Sequence, residues 1–300
     1  MKVWVLPAEE NWICDLLVED FQFMCRDIVA HTPRDATLLW LLSDWRWRSV
    51  SIQQLREKMV LTTVHHIVKD KFDETARRDF AERDEITNAY HVYNSRTLDF
   101  VRQLTVKPIH LVPYWANQHR WRATGEKVTL REKYKLPASA RILMSAQRDT
   151  EGNDLMSPKL EKGADRLADA FIEFFRQDPN VHILLGGWRR QYVVRRLTSA
   201  GVPFTYIERP PQETLNELYQ CADLYVVTAR EEGGPQSLLE AGLVGLPMVS
   251  TPVGIAEQVL PAYAINDDVT LATPAIPDVE DMKLPGGMSA YRQMFMDILQ

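Results

Sequence analysis

A chain of 300 residues has room for two domains of ordinary size, each able to bury its own core. Apolar residues make up 45% and charged residues 25%, with no long Pro, Gly or Ser tract, a composition that excludes disorder. The formal net charge of −6 gives no electrostatic reason for binding nucleic acid, so any nucleotide bound is expected to be a small one.

The first element is a short apolar strand at residues 3–6, followed by apolar residues at helical spacing (Leu16, Leu17, Phe21, Met24, Ile28) that predict a crossover helix over 13–29. Further apolar runs at 36–42 and 60–67 continue the strand rhythm, and a strand, helix, strand order makes the sheet parallel. A charged helical stretch follows at 70–88, then a strand at 89–94, a helix with Ser95 as its N-cap, and a strand at 109–113. Residues 115–140 lose this periodicity and read as the linker between domains.

The rhythm restarts with a strand at 141–146, helix 163–177, strand 181–186, helix 188–200, strand 203–207, helix 211–221 and strand 223–228. The chain thus reads as α/β, with a second doubly wound lobe. A last helix is expected at 288–300. The domains are placed at 1–125 and 126–287, with 288–300 returning to the N-terminal one.

The most informative stretch follows Asp223, where an apolar strand runs into Glu232-Gly233-Gly234-Pro235-Gln236-Ser237 and a helix containing Glu240. Gly233 and Gly234 let backbone amides approach an anion unobstructed, and Pro235 suits a helix start. The unpaired amides and positive end of such a helix favour a phosphate or diphosphate, to which Ser237 adds a hydroxyl. Glu232 and Glu240 stand about 10 Å apart, too far for a nucleophile and acid pair but suited to gripping hydroxyls on different parts of one extended ligand. Gly245-Leu246-Pro247 ends the helix, and Pro252-Val253-Gly254 makes another tight loop after the next strand.

Glu232 to Glu240, followed by Gly245-Leu246-Pro247 and Thr251-Pro252-Val253-Gly254, resembles the E-x7-E signature of glycosyltransferase family 4 across about 40 residues. The resemblance implies a GT-B fold, two Rossmann-like doubly wound domains facing a cleft. It sets Glu232 beside the donor sugar, Glu240 on the nucleotide ribose, and the turn amides near the diphosphate. Upstream, Ser145-Ala146-Gln147-Arg148 and Glu161-Lys162-Gly163 resemble segments that supply an Arg and a Lys to the diphosphate, cations that stabilise a departing nucleoside diphosphate. A polar insertion at 149–160 separates them.

Tyr206-Ile207-Glu208-Arg209 falls where the family places the nucleobase, with Ile207 as the contact and Glu208 in place of the usual glycine. In the first lobe, Thr62-Thr63-Val64-His65-His66 resembles the strand that ends in a His facing the reacting sugar; His65 is the closer match and His66 the second. The loop at 7–12 carries Pro-Ala-Glu-Glu-Asn-Trp where relatives carry a Gly-Gly pair. Two clusters, Trp45-Arg46-Trp47-Arg48 and Trp188-Arg189-Arg190 with Arg195-Arg196, read most simply as solvated segments with one buried Trp, and otherwise as membrane-interface or sugar-stacking patches.

The resemblance implies a retaining transfer of a sugar from a nucleotide diphosphate sugar to an acceptor hydroxyl. The acceptor would be a glycan or a lipid-linked or protein-linked sugar. No Asp-x-Asp motif is evident, so neither a metal nor another cofactor is expected. A sugar-nucleotide epimerase or hydrolase on the same fold, and a noncatalytic sugar-nucleotide-binding partner, are the alternatives. Cys14, Cys25 and Cys221 lack paired spacing, and no apolar run reaches membrane-spanning length, so a cytoplasmic protein, at most peripheral to a membrane, is expected.

Overall fold

Short apolar strands joined by amphipathic helices return parallel to their predecessors, and the computed structural model, which describes residues 1–10 and 13–300, holds two such sheets. One compact unit comprises Met1–Asn117 with Asp281–Gln300, the other Gln118–Glu280.

The first unit runs β1 (Val3–Val5), α1 (Ile13–Met24), β2 (Leu38–Leu41), α2 (Ile52–Glu57), β3 (Met59–Val64), α3 (Glu74–Asp84), β4 (Ala89–Val92), α4 (Ser95–Val101) and β5 (Ile109–Leu111). Its sheet is ordered β1-β2-β3-β4-β5, all parallel. The helix expected to reach residue 29 stops at Met24, because Val29 pairs with Val3 on the outer side of β1. The chain therefore steps outward from β1 to the Val29 bridge and then back to β2, while the strands themselves run β1 to β5 in sequence order. Asn94 caps α4 by accepting from the Thr97 amide at 2.9 Å, one residue before the expected cap.

The C-terminal helix closes this unit. Ala116 and the 282–284 segment exchange backbone hydrogen bonds, and the helix that follows buries Tyr291 and Phe295 against Trp40, with ring centroids 5.7 and 5.3 Å away. Phe21 meets both Trp40 and Phe295 edge-on. Each such contact contributes about 0.5–1.5 kcal/mol beyond its buried area.

The second unit runs α5 (Lys127–Lys133), β6 (Arg141–Ala146), β7 (Thr150–Glu151), β8 (Ser157–Pro158), α6 (Ala164–Gln177), β9 (Val181–Gly187), α7 (Gln191–Ser199), β10 (Phe204–Glu208), α8 (Gln212–Cys221), β11 (Leu224–Val227), α9 (Gln236–Val244), β12 (Met248–Ser250) and α10 (Ala256–Val259); the C-terminal helix is α11 (Gly286–Leu299). The five long strands form a parallel sheet ordered β10-β9-β6-β11-β12. The chain winds from β6 through β9 to β10 and then crosses back to β11, so the switch point lies between β6 and β11. Leu143, Phe171, Ile183, Leu185, Leu197, Leu224 and Val226 are all buried in the core beneath it.

Two stretches differ from the sequence expectation. The segment expected to be an irregular linker contains α5, docked by Arg131, which donates to the carbonyls of Cys221, Ala138 and Ala140 and pairs with Asp223 at 2.6 Å. The polar insertion folds as the antiparallel hairpin β7–β8. Among the described residues no helix is long and apolar enough to cross a membrane.

Candidate functional site

In an open parallel sheet, the loops after two strands that diverge at a switch point leave a crevice between them. In the second unit those are the loops after β6 and β11, and the chain stitches them together. Thr228 donates to the Gly163 carbonyl at 3.0 Å, and Gly163, at φ +65°, packs so closely that a Cβ would overlap the Thr228 carbonyl oxygen. Arg230 forks onto both oxygens of Asp165, at 2.7 and 2.6 Å, and its amide donates to the Glu161 carbonyl. The Tyr225 phenol donates to the Ala146 carbonyl at 3.0 Å and accepts from its amide at 2.8 Å.

This stitching brings Lys162 and Glu232 into an ion pair, with both side chains mostly covered. Gly233 and Gly234 follow, both buried, and α9 starts at Gln236 after Pro235. The first amides of a helix have no intrahelical partner, so those at the start of α9 face outward with the positive end of its dipole. The Gln236 Nε2 donor is buried and has no hydrogen-bond partner among the described residues. Gly254, at φ +56°, lets the loop after β12 close on this turn: a Cβ there would come within 2.9 Å of Gly234 and of Pro235. Ser237 faces the Tyr225 phenol.

Glu240 lies one level deeper. It is buried, and its Oε2 accepts from the Tyr219 hydroxyl at 2.5 Å. Burial pushes its carboxyl up to about 7, against the pull of the Tyr219 hydrogen bond, and burial with the neighbouring Glu240 charge drives the Tyr219 phenol well above its ordinary value. Neither tyrosine partner was legible as a site residue, since Tyr219 and Tyr225 come from α8 and β11 and read as ordinary core positions.

The remaining predicted residues of this unit sit along the same sheet edge. Ile207, in β10, is half-buried and pairs in register with Gly186. Arg148, after β6, is exposed and lies over the indole of Trp188, 4.8 Å from its centroid. The basic cluster around Trp188 is only partly the solvated segment expected. Arg190 is fully buried, pairs with Asp149 at 2.6 Å and donates to the Ser145 and Gly186 carbonyls at 2.8 and 2.7 Å. Burial pushes the Asp149 carboxyl above its ordinary value and the Arg190 guanidinium pulls it back. Arg195 donates to carbonyls of the β7–β8 hairpin, and Arg196 pairs with Asp169.

His65 belongs to the first unit, at the end of β3. Its Nε2 is 2.8 Å from the Leu42 carbonyl and therefore carries the proton, while Nδ1, 3.4 Å from the Tyr114 hydroxyl, accepts. Its ring lies 5.3 Å from that of Tyr93 and 5.8 Å from that of Trp45. His66 beside it is half-buried. A buried chain runs behind: Trp40 donates to Thr63 at 2.7 Å, Thr63 donates to His91 Nδ1, and His91 Nε2 donates to the Val112 carbonyl. Burial pulls the His91 pKa down to about 3, so this imidazole stays neutral.

The loop after β1 is held by Asp15, whose Oδ1 accepts from the Ala8 and Glu9 amides, both at 2.9 Å, and whose Oδ2 accepts from Glu10 at 2.8 Å. Asn11 and Trp12, the end of the loop where relatives carry a glycine pair, lie outside the described residues. In the 45–48 cluster Trp47 is buried and Trp45 exposed, Arg46 pairs with Glu9, and Arg48 with Asp79 and Glu82.

Two Rossmann-like parallel α/β units define a GT-B fold, and residues 155–277, which include Lys162, β11 and α9 but not β6, match the family model described as Glycosyl transferases group 1. The chain is similar to the crystal structure of Anabaena HepE in complex with UDP and glucose (13% identity, 87% of this chain and 83% of that one, TM-score 0.68). It is also similar to sucrose-phosphate synthase from Thermosynechococcus elongatus (18% identity, 98% and 72% covered, TM-score 0.62). A third similar structure is S. aureus TarM, solved as a mutant with Fondaparinux, alpha-GlcNAc-glycerol and UDP (14% identity, 95% and 57% covered, TM-score 0.57). No curated protein sequence matches the chain.

Proposed function

We propose that the protein is a retaining, metal-independent glycosyltransferase of the family 4 kind, moving a sugar from a nucleotide diphosphate sugar to an acceptor hydroxyl. The observation that carries this reading is the β6–β11 crevice, where Lys162, two buried glycines, the N-terminus of α9, the orphan Gln236 donor and Glu240 gather on adjacent loops. The family match over 155–277 and the UDP complexes of HepE and TarM support it.

In this reading the diphosphate rests on the amides that open α9, with Lys162 and Arg148 as its cations. Glu232 positions the sugar and Glu240 holds the ribose hydroxyls. The bond from C1 to the donor phosphate oxygen breaks as the acceptor oxygen bonds to C1 on the same face. The acceptor proton passes to the departing phosphate oxygen, and His65 contacts the sugar near its reactive carbon. Lys162 and the α9 amides stabilise charge that grows only as the bond breaks, which makes them catalytic rather than merely adhesive.

One observation favours a second reading. The Ala8, Glu9 and Glu10 amides are already taken by Asp15, so these three are not offered to a donor phosphate, as suits a binding partner without turnover. Incubating the protein with a panel of nucleotide sugars, with and without glycan or lipid-linked acceptors, separates the two. Nucleotide release that depends on acceptor supports transfer; saturable binding with no release under any condition overturns it in favour of the binding partner.

A further inference from the structure

The ammonium of Lys162 and the carboxylate of Glu232 are in contact, and their side chains keep only 20% and 14% of their surface exposed. The donor reading gives these two groups different parts of one ligand, the diphosphate to Lys162 and the sugar to Glu232. Held together, each occupies the other. An arriving nucleotide meets a cation that is already neutralised, by a carboxylate that repels its phosphates.

Other ion pairs of this unit are built to stay closed. Arg131 adds bonds with three carbonyls to its bond with Asp223, Arg190 adds two carbonyls to Asp149, and Arg230 adds the Leu160 carbonyl to both oxygens of Asp165. Lys162 has Glu232 as its one side-chain acceptor among the described residues. Opening this contact strands no carbonyl, and the ammonium turns its donors to whatever replaces the carboxylate.

The backbone decides which partner gives way. Lys162 is fixed on both sides: its amide donates to the Lys159 carbonyl at 3.0 Å, its carbonyl accepts from Gln147 Nε2 at 3.3 Å, and the next residue, Gly163, packs against Thr228. Glu232 stands in the turn ahead of α9, followed by Gly233 and Gly234. A swing of its carboxylate meets no side chain from the two residues that follow.

What the carboxylate gains by leaving differs between two ligands. An intact nucleotide sugar brings hydroxyl donors, which give Glu232 a new partner. A nucleoside diphosphate brings none there, and its terminal phosphate, no longer esterified, takes on further negative charge near neutral pH. The carboxylate then either leaves its cation with no new partner or stays and faces more charge than the donor presented.

We propose that Glu232 competes with the diphosphate for Lys162, and that this competition tilts the site toward the intact donor and away from the nucleoside diphosphate left after transfer. The inference rests on the donor reading given above and deepens it: the residue that positions the sugar also hastens departure of the product, a step that often limits turnover.

The test uses the full chain and calorimetry. UDP, GDP and ADP are titrated beside UDP-glucose, UDP-N-acetylglucosamine, GDP-mannose and ADP-glucose, and the tightest nucleotide sugar and its own nucleoside diphosphate are carried forward. Glu232→Gln keeps the size of the side chain and removes its charge. It should tighten the nucleoside diphosphate by about fivefold, while the nucleotide sugar gains less than about twofold or weakens. A gain in affinity cannot come from an unfolded variant. Lys162→Met supplies the control, because without the ammonium nothing holds the carboxylate at the diphosphate position. In that background Glu232→Gln should change nucleoside diphosphate affinity by less than about twofold.

The proposal is overturned if Glu232→Gln leaves the nucleoside diphosphate unchanged or weakens it, or if it tightens both ligands alike. It is overturned equally if the gain survives in Lys162→Met, which would be repulsion between carboxylate and phosphate without competition for the cation. Each of these results is read from a nucleotide that binds, so the donor reading stands. If neither the wild type nor Glu232→Gln binds any nucleotide, the donor reading itself fails and the inference falls with it.

Discussion

Two pairs of neighbouring strands carry loops that are finished differently: β6 and β11, where the second sheet reverses its strand order, and β1 and β2, where the first sheet keeps sequence order beside the Val3–Val29 bridge. Among the described residues between β1 and β2 most polar groups have partners: Asp15 takes three loop amides, Arg46 holds the Pro7 carbonyl and both ring nitrogens of His65 are engaged, although the buried Ser43 hydroxyl has none. Between β6 and β11 a buried Gln236 donor is orphaned, two glycines clear the backbone, and Lys162 waits on a single carboxylate bond. A buried donor without a partner costs about 1–3 kcal/mol, a cost that a ligand bound at the start of α9 would recover. The same α/β geometry thus yields one pair of loops held mainly by its own side chains and one left for a ligand.

The comparison breaks most sharply at Lys162. Lys162→Ala is expected to cut the transfer rate by about 10²–10³-fold, the usual effect of removing one group that stabilises developing charge, with the melting temperature little changed. Turnover within about threefold of wild type would mean that the β6–β11 crevice is not where charge develops. Next in size is Gly163→Ala. The added Cβ meets the Thr228 carbonyl at a left-handed φ, so the stitch between the two loops must open. A loss of about 2–4 kcal/mol in urea unfolding is expected, with nucleotide affinity falling alongside. A neutral substitution would show that the loops are not held together by this contact.

What could be read in advance follows from how local each signal is. The turn from β11 into α9 was legible because an apolar strand, Gly233-Gly234, Pro235 and two glutamates at fixed spacing stand within one short stretch. The doubly wound order was legible from strand and helix alternation alone. Helix α5 was not, since it buries little beyond Leu130 and Arg131 and owes its place to hydrogen bonds with residues about 90 positions away. The hairpin at 150–158 was hidden because its strands are two residues long and depend on the distant Arg189 and Arg195. For Glu240 the identity was legible and the environment was not, because Tyr219 reaches it from another helix.

Glu240 gives a smaller and two-sided effect. Its carboxyl is raised to about 7, against about 4.3 in an unfolded chain, so between these values the folded state binds more protons. Its contribution makes folding stability fall as pH rises through that window and level off above it. Nucleotide binding runs the other way, because ribose hydroxyls donate to an ionised carboxylate, so affinity should rise as pH passes about 7. Glu240→Gln should flatten both profiles, and Glu240→Ala should weaken nucleotide by about tenfold at pH 8. A pH-independent affinity in the wild type would remove the ribose assignment.

The smallest effect tests the loop after β1. In Asp15→Asn one side-chain oxygen still accepts from Ala8 and Glu9, but the amide nitrogen that replaces Oδ2 is a donor facing the Glu10 N–H. One charge-assisted hydrogen bond is lost and a donor is set against a donor, at a cost of about 1–2 kcal/mol in unfolding. Nucleotide affinity should not change, because in the donor reading the ligand rests on the second unit. If instead Asp15→Asn tightens nucleotide binding, the Glu10 amide released from the carboxylate binds the same phosphate. The loop after β1 would then be a ligand site held shut by Asp15 rather than a finished piece of scaffold. Stability from urea unfolding and affinity from calorimetry on one preparation decide between these, since scaffold predicts a change in the first alone and competition a change in both.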